Sequence, residues 1–246
     1  MINTSFFWDT EYTIPPGAGF RPWCVGHLLW IALAFGLCLF LGRLYRGWGE
    51  SFRRTARRAV AVLLVVDELL KYYIALRSGN FRLSFLPLHL CSVNIFLIAT
   101  DAIRPSQCLR EVLYAVCLPG ALLALIFPGW AYLPLANALC IHSFTAHILL
   151  LLYPVLLLCG GFSPCFQRLA KVLPVAFLVA VGIYFFNQAF GTNFMFLARA
   201  GENNPLAWFE SWLGSPGYLL GIPLIAGVLW TVMYCGPLVI RRRRGS

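Results

Sequence analysis

Apolar residues in this chain come in long unbroken runs rather than in alternation. Seven runs stand out, at about Cys24–Gly42, Ala59–Leu76, Phe85–Thr100, Leu109–Phe127, Ala136–Leu158, Leu169–Gln188 and Pro216–Ile240. Each is roughly 16 to 25 residues long, near the ~20 that a helix needs to cross the hydrocarbon core of a bilayer. A barrel would instead read as short strands of period two. A spanning segment must satisfy its own backbone hydrogen bonds, so the runs predict helices. Pro87, Pro119, Pro154, Pro174 and Pro223 fall inside them, and membrane helices tolerate such interruptions. The predicted fold class is an all-α polytopic membrane protein with seven transmembrane helices. It forms a single domain: an outer N-terminal segment over 1–23, a bundle over 24–240 and a basic tail over 241–246. No internal repeat or low-complexity segment interrupts it.

Composition supports this reading. Of the 246 residues, 60% are hydrophobic and 11% charged, and mean hydropathy is +0.78. A soluble globule could not hide that much apolar surface, which excludes a cytosolic enzyme, a secreted disulfide scaffold and a disordered regulator. The formal net charge is +10, and the 19 Lys and Arg are unevenly placed. Fourteen lie on connections of one side: Arg43, Arg46, Arg53, Arg54, Arg57, Arg58, Arg104, Arg110, Arg168, Lys171 and Arg241 to Arg244. Four, Arg21, Arg77, Arg82 and Arg199, lie on the other, and Lys71 sits within the second run. That split places the N-terminus outside and the C-terminus in the cytoplasm. The basic excess is therefore a topology signal, and no nucleic-acid partner is predicted. The first run is not read as a cleaved signal peptide, because Arg21 alone precedes it and Arg43 and Arg46 follow. The nine Cys form no CxxC pair, so neither a disulfide framework nor a zinc ribbon is indicated.

Ionisable and polar groups inside a membrane are costly and become functional candidates. The second run holds Asp67, Glu68 and Lys71. Glu68 and Lys71 are three apart and share a helix face, as a structural ion pair or as the charged site of a carrier. The third run holds His89, Cys91 and Asn94. Cys91 and Asn94 share a face, whereas His89 and Cys91 stand roughly 200° apart on a regular helix, which argues against a direct pair. The fifth run holds His142, Ser143 and His147. The two histidines are roughly 140° apart and HExxH is absent. A metal bound by His89, His142 and His147 across helices is the weaker reading, and no metal or cofactor is called for. Ser143 and His147 share a face, so the Ser143 hydroxyl is expected to orient the imidazole.

Depth gathers these groups. At ~1.5 Å per residue, Cys91, His142 and Lys71 lie roughly 8 to 10 Å below the outer edge and His147 roughly 16 Å below it. Asn187 and Asn193 end the sixth run on the same side. The expectation is a water-accessible cavity open to the outside. The connection over Ala189–Ser215, with Trp208, Phe209 and Trp212, is either an aromatic belt at headgroup level or a lid over that cavity. A thiol and an imidazole from different helices make a plausible nucleophile and base. From the residues alone an acyl-transfer enzyme, a carrier and a structural protein all stay open.

The segments PLHLCSVNIFL, PGALLALIFPG, HSFTAHILLLLYP and FGTNFMFL occur in that order. Together they resemble the successive signatures of the YwaF-type integral membrane family, over some 170 residues from about Glu68. The resemblance implies a seven-helix protein of the bacterial plasma membrane. It also implies a distant relationship to a eukaryotic transmembrane acyltransferase that moves fatty acyl chains between phospholipids with a Cys and a His. Looser kinship runs to intramembrane Thr–His lipid hydrolases. Carried over by position, the nucleophile falls on Cys91 and the histidine on His147, with membrane phospholipid or an acyl chain as the partner. His89, Asn94, His142, Ser143, Glu68, Lys71, Asn187 and Asn193 are the expected supporting residues. The chain departs from the family pattern at Thr145-Ala146-His147, which stands for Ser–His. It departs again at Pro128-Gly129-Trp130, where an acidic residue commonly follows the proline.

Overall fold

A computed structural model describes residues 6–201 and 204–244, with side chains described as far as Cys235. The Arg241 to Arg244 side chains and residues 1–5 of the predicted outer segment lie outside the described set. Among the described residues all regular structure is helical. The helices are α1 (Val25–Gly47), α2 (Glu50–Arg77), α3 (Leu90–Ile103), α4 (Gln107–Val112), α5 (Leu118–Ile126), α6 (Ala138–Cys159), α7 (Phe166–Phe190), α8 (Leu206–Gly217) and α9 (Gly221–Arg244). A π-helical turn, Leu113–Cys117, joins α4 and α5 into one segment.

Six stretches are long and apolar enough to cross a membrane: Val25–Gly47, Leu83–Ile103, Gln107–Ile126, Ala138–Cys159, Phe166–Phe190 and Leu206–Cys235. Helix α2 has the length, 28 residues, but Asp67, Glu68 and Lys71 fall in its apolar half and leave it outside that group. Helix α6 is the centre of the bundle. Of its apolar window 67% is buried, against 22% for α1 and 11% for α7, and α1, α2, α3 and α5 pack around it. Phe144 and Tyr153 on α6 are fully buried, and Trp30 of α1 stacks on Phe144 with ring centroids 5.0 Å apart. Lipid offers no hydrophobic gain for helix association, so close packing of this kind and interhelical hydrogen bonds must hold the bundle.

Two prolines show how such bonds arise. A proline within a helix frees the carbonyl four residues earlier. Pro119 frees Ala115, whose oxygen accepts from Trp230 Nε1 of α9 at 2.8 Å. Pro154 frees Leu150, whose oxygen accepts from Cys117 Sγ at 3.4 Å. The π turn lies just ahead of Pro119, where the helix ladder is already interrupted.

The third run corrects the sequence reading. It is not one helix from Phe85 to Thr100. A short 3-10 turn covers Leu83–Phe85, Leu86 is extended with ψ 149°, and α3 starts only at Leu90. Pro87 is the physical reason: it donates no hydrogen bond and forces the residue before it out of the helical region. The expected outer loop Ala189–Ser215 is also not a plain connection, since α8 lies within it. Trp208 and Trp212 on α8 are 71% and 87% exposed, the disposition of an interfacial anchor.

Residues 6–24 fold over one end of the bundle. Asn137 caps α6 by accepting from Leu139 N and Cys140 N, and its Nδ2 donates to the carbonyls of Phe6 at 2.7 Å and Asp9 at 2.9 Å. Tyr132 donates to Glu11 at 2.9 Å. Backbones meet closely here, since a Cβ on Gly19 would come within 2.2 Å of the Ala131 oxygen. At the other end two fully buried carboxylates tie helices together. Asp101 accepts from Arg110 Nε at 3.1 Å and from the Tyr153 hydroxyl at 2.9 Å. Glu111 of α4 accepts from Arg168 Nε of α7 at 2.8 Å and from the Tyr234 hydroxyl of α9 at 2.6 Å. Helix α7 packs on α4 at that end and on the Phe194–Phe196 turn at its other end. It stops at Gly191, whose φ of 63° suits a residue without a side chain.

Candidate functional site

The space between the bundle and the α7–α9 pair is a cavity of about 1480 Å³. Its wall gathers most of the residues singled out from sequence: Glu68 and Lys71 from α2, Cys91 from the start of α3, His89 just before it, and His142, Ser143 and His147 from α6. Asn193 lines it from the loop after α7. One region of the wall is polar, with Glu11, Tyr12, Arg82 and Arg199. Another is apolar, with Val116, Leu173, Ala176, Ile225 and Leu229 drawn from α7, α9 and the α4–α5 segment.

Lys71 Nζ donates to Glu68 Oε1. The ammonium also reaches Ser92 Oγ at 3.4 Å and stands 4.8 Å from the centre of the Tyr72 ring. Both side chains are largely buried, 15% and 6% exposed, so each is the counter-charge the other requires.

His147 is held at one nitrogen. Its Nδ1–H donates to the Ser143 carbonyl at 2.7 Å, which leaves the lone pair on Nε2. Trp130 stacks against the ring with centroids 4.8 Å apart. The expected role of the Ser143 hydroxyl is corrected here. That hydroxyl donates to the Leu139 carbonyl at 2.8 Å, and the backbone oxygen of Ser143 does the orienting. A helical serine bonds back to its own turn more readily than it reaches a neighbouring side chain.

Cys91 is the second residue of α3 and is partly accessible on the cavity wall. The break at Pro87 removes the regular helix that would have set His89 and Cys91 on opposite sides, and both line the cavity. The His89 ring meets Phe194 edge-on at 4.9 Å.

Two expected supporting residues lie elsewhere. Asn94 is buried and is not on the cavity wall. Asn187 is 1% exposed and closes the loop after α7. Its Nδ2 donates to the Phe194 carbonyl, and its Oδ1 accepts from Phe194 N and Thr192 Oγ1. Asn193, though on the wall, braces the same loop by accepting from Ala198 N and Arg199 N. Asn at a helix end more often serves such turns than a ligand.

Sequence reasoning missed the surroundings of His142. Its Nδ1 lies 2.9 Å from Asp67 Oδ2 on α2, yet the angle is too oblique for a hydrogen bond, and neither atom has another partner. Thr145 Oγ1 stands 3.1 Å from Asp67 Oδ1. No spacing rule could link Asp67 to residues on α6, and the adjacent Glu68–Lys71 pair offered it a closer explanation. Among the described residues no group of three His, Cys, Asp or Glu side chains is placed to hold a metal ion.

Long apolar helices around a polar-walled cavity define an integral membrane protein. More narrowly, the chain belongs to the TMEM164 family, whose model matches residues 22–234. No curated protein and no solved structure matches the chain.

Proposed function

We propose that this protein is an intramembrane acyltransferase or ester hydrolase acting on phospholipid, with Cys91 as nucleophile and His147 as base. The observation that carries this reading is a thiol and an imidazole on the wall of one cavity, the imidazole tied at Nδ1 so that Nε2 is its proton-accepting atom. The motif resemblance to a Cys–His acyltransferase falls on the same two residues.

In this reading the two residues share the chemistry. His147 Nε2 takes the thiol proton, and the sulfur attacks the ester carbonyl carbon. The oxyanion forms beside the first turn of α3, where the amides of Leu90, Cys91 and Ser92 precede any intrahelical acceptor. The carbon–oxygen bond breaks, the departing oxygen takes up a proton, and a thioester is left on Cys91. A hydroxyl of a second lipid, or water, then gives up its proton as it attacks that carbon, the carbon–sulfur bond breaks, and the thiolate regains the proton held on His147. The apolar wall suits an acyl chain, and the polar wall with Arg82 and Arg199 suits a headgroup. With α2 counted as a span, seven helices cross the membrane, the N-terminus outside, and the cavity's polar wall facing outward.

The test uses purified full-length protein in nanodiscs of diacyl phosphatidylcholine with a lysophospholipid acceptor. Acyl transfer is followed by mass spectrometry, and the Cys91 thioester by its cleavage with hydroxylamine. Cys91→Ala and His147→Ala are each expected to lower transfer by about 10² or more. Transfer that survives Cys91→Ala, or a hydroxylamine-sensitive acyl group elsewhere, would falsify the assignment.

The carrier reading rests on Glu68 and Lys71. The structure gives these two a partner in each other, which makes them poor ligands for a third charge.

A further inference from the structure

Of the three imidazoles on the cavity wall, His89, His142 and His147, the two on α6 are held differently. His147 is tied to a backbone carbonyl at 2.7 Å. His142 faces a carboxylate, with Nδ1 2.9 Å from Asp67 Oδ2. Asp67 is itself steadied by Thr145 Oγ1 at 3.1 Å. Both facing atoms, His142 Nδ1 and Asp67 Oδ2, are shut away from solvent and have no other partner. Two buried polar atoms left facing each other without a hydrogen bond are costly, and a catalytic role is one reason a fold keeps such a pair. The carboxylate is on the ring's buried side and the ring lies on the cavity wall, so Nε2 is the nitrogen left for a substrate.

From this we infer that His142 is a second catalytic histidine, the one that carries the proton of the lipid oxygen, and that Asp67 is its positioning residue. The inference rests on the acyl-transfer reading and divides its proton traffic between two rings. His147, with a neutral carbonyl behind it, takes the thiol proton. His142, with a carboxylate to balance a protonated ring, donates from Nε2 to the departing glycerol oxygen as the carbon–oxygen bond breaks. Neutral His142 then accepts the proton of the incoming hydroxyl as that oxygen attacks the thioester. The carbon–sulfur bond breaks, and the sulfur recovers its proton from His147. Every proton removed is restored and no co-reactant is required. The oblique resting angle between Asp67 and His142 is what a catalytic contact often shows before substrate closes it.

The division has a consequence that a structural role for Asp67 and His142 lacks. A lipid alkoxide is a poor leaving group and needs an acid, whereas 4-nitrophenolate leaves without one. The experiment measures single-turnover acylation of Cys91 in nanodiscs with two donors, diacyl phosphatidylcholine and a 4-nitrophenyl fatty ester. In His142→Ala and in Asp67→Asn the ratio of phospholipid to nitrophenyl rate is expected to fall at least about tenfold. In His147→Ala both rates should collapse together. A ratio that stays at the wild-type value in well-folded Asp67→Asn overturns the inference, whether both rates fall or neither does. Asp67→Asn keeps the side-chain volume and the contact to Thr145, so it carries the test if His142→Ala fails to fold. Cys91→Ala is the separate control: turnover that survives it removes the acyl-transfer reading itself.

Discussion

Lys71 Nζ donates to Glu68 one helical turn before it on α2, a contact that the spacing of three predicts. Removing one partner leaves a buried charge, so Glu68→Leu is expected to cost about 3–5 kcal/mol, while the double change of Glu68 and Lys71 to Leu should cost less. Thermal unfolding in detergent checks both. Partners on different helices left no such trace. Asp67 beside His142 and Cys117 beneath Leu150 are products of packing. Trp230 belongs with them, because its indole answers the carbonyl that Pro119 frees. Trp230→Phe should cost about 1–3 kcal/mol by orphaning that oxygen. In a Pro119→Ala background, where the backbone can satisfy Ala115 itself, the same change should cost at least about 0.5 kcal/mol less. A thermodynamic cycle over the four proteins measures the difference, and additivity would refute the account.

At the scale of elements, the apolar runs foretold the helices well because lipid leaves few alternatives. A buried backbone without water must become a helix, and length and hydropathy then locate it. The error fell where a proline opens a run instead of interrupting one. Pro87 splits Phe85–Thr100 into an extended stretch and a helix that begins at Leu90, and this break sets His89 and Cys91 on one wall. Hydropathy cannot register it, since the residues stay apolar on both sides. Pro87→Ala should let α3 grow backward and swing His89 away from Cys91. The expected outcome is acyl transfer lowered at least about tenfold with a melting temperature equal to or above the parent's. Full activity in that variant would show that the break does not matter to the site.

The whole molecule is a bundle centred on α6, with α7 and α9 joined to it along the α4–α5 segment and parted from its other helices by the cavity. Composition made the membrane class readable, and the charge split predicts an orientation, because insertion machinery responds to it. The cavity was not readable, since its wall draws on segments from residue 11 to residue 230. Orientation can be checked with Cys108, which is exposed on the first turn of α4. In a variant retaining Cys108 alone, an impermeant maleimide should react after the membrane is opened and not before. Reaction in intact cells would reverse the topology.

Glu111 sets an order of events during synthesis. It lies on α4 and is fully buried, yet two of its partners, Arg168 and Tyr234, belong to α7 and α9. The ribosome makes those helices after α1 to α6. Until they arrive, the nascent bundle of α1 to α6 carries an acid without a counterpart at its edge. An unpaired acid at that edge is a vacancy that α7 and α9 fill. The growing chain thus holds a place for two helices still to be made, and the cavity closes only once they have joined.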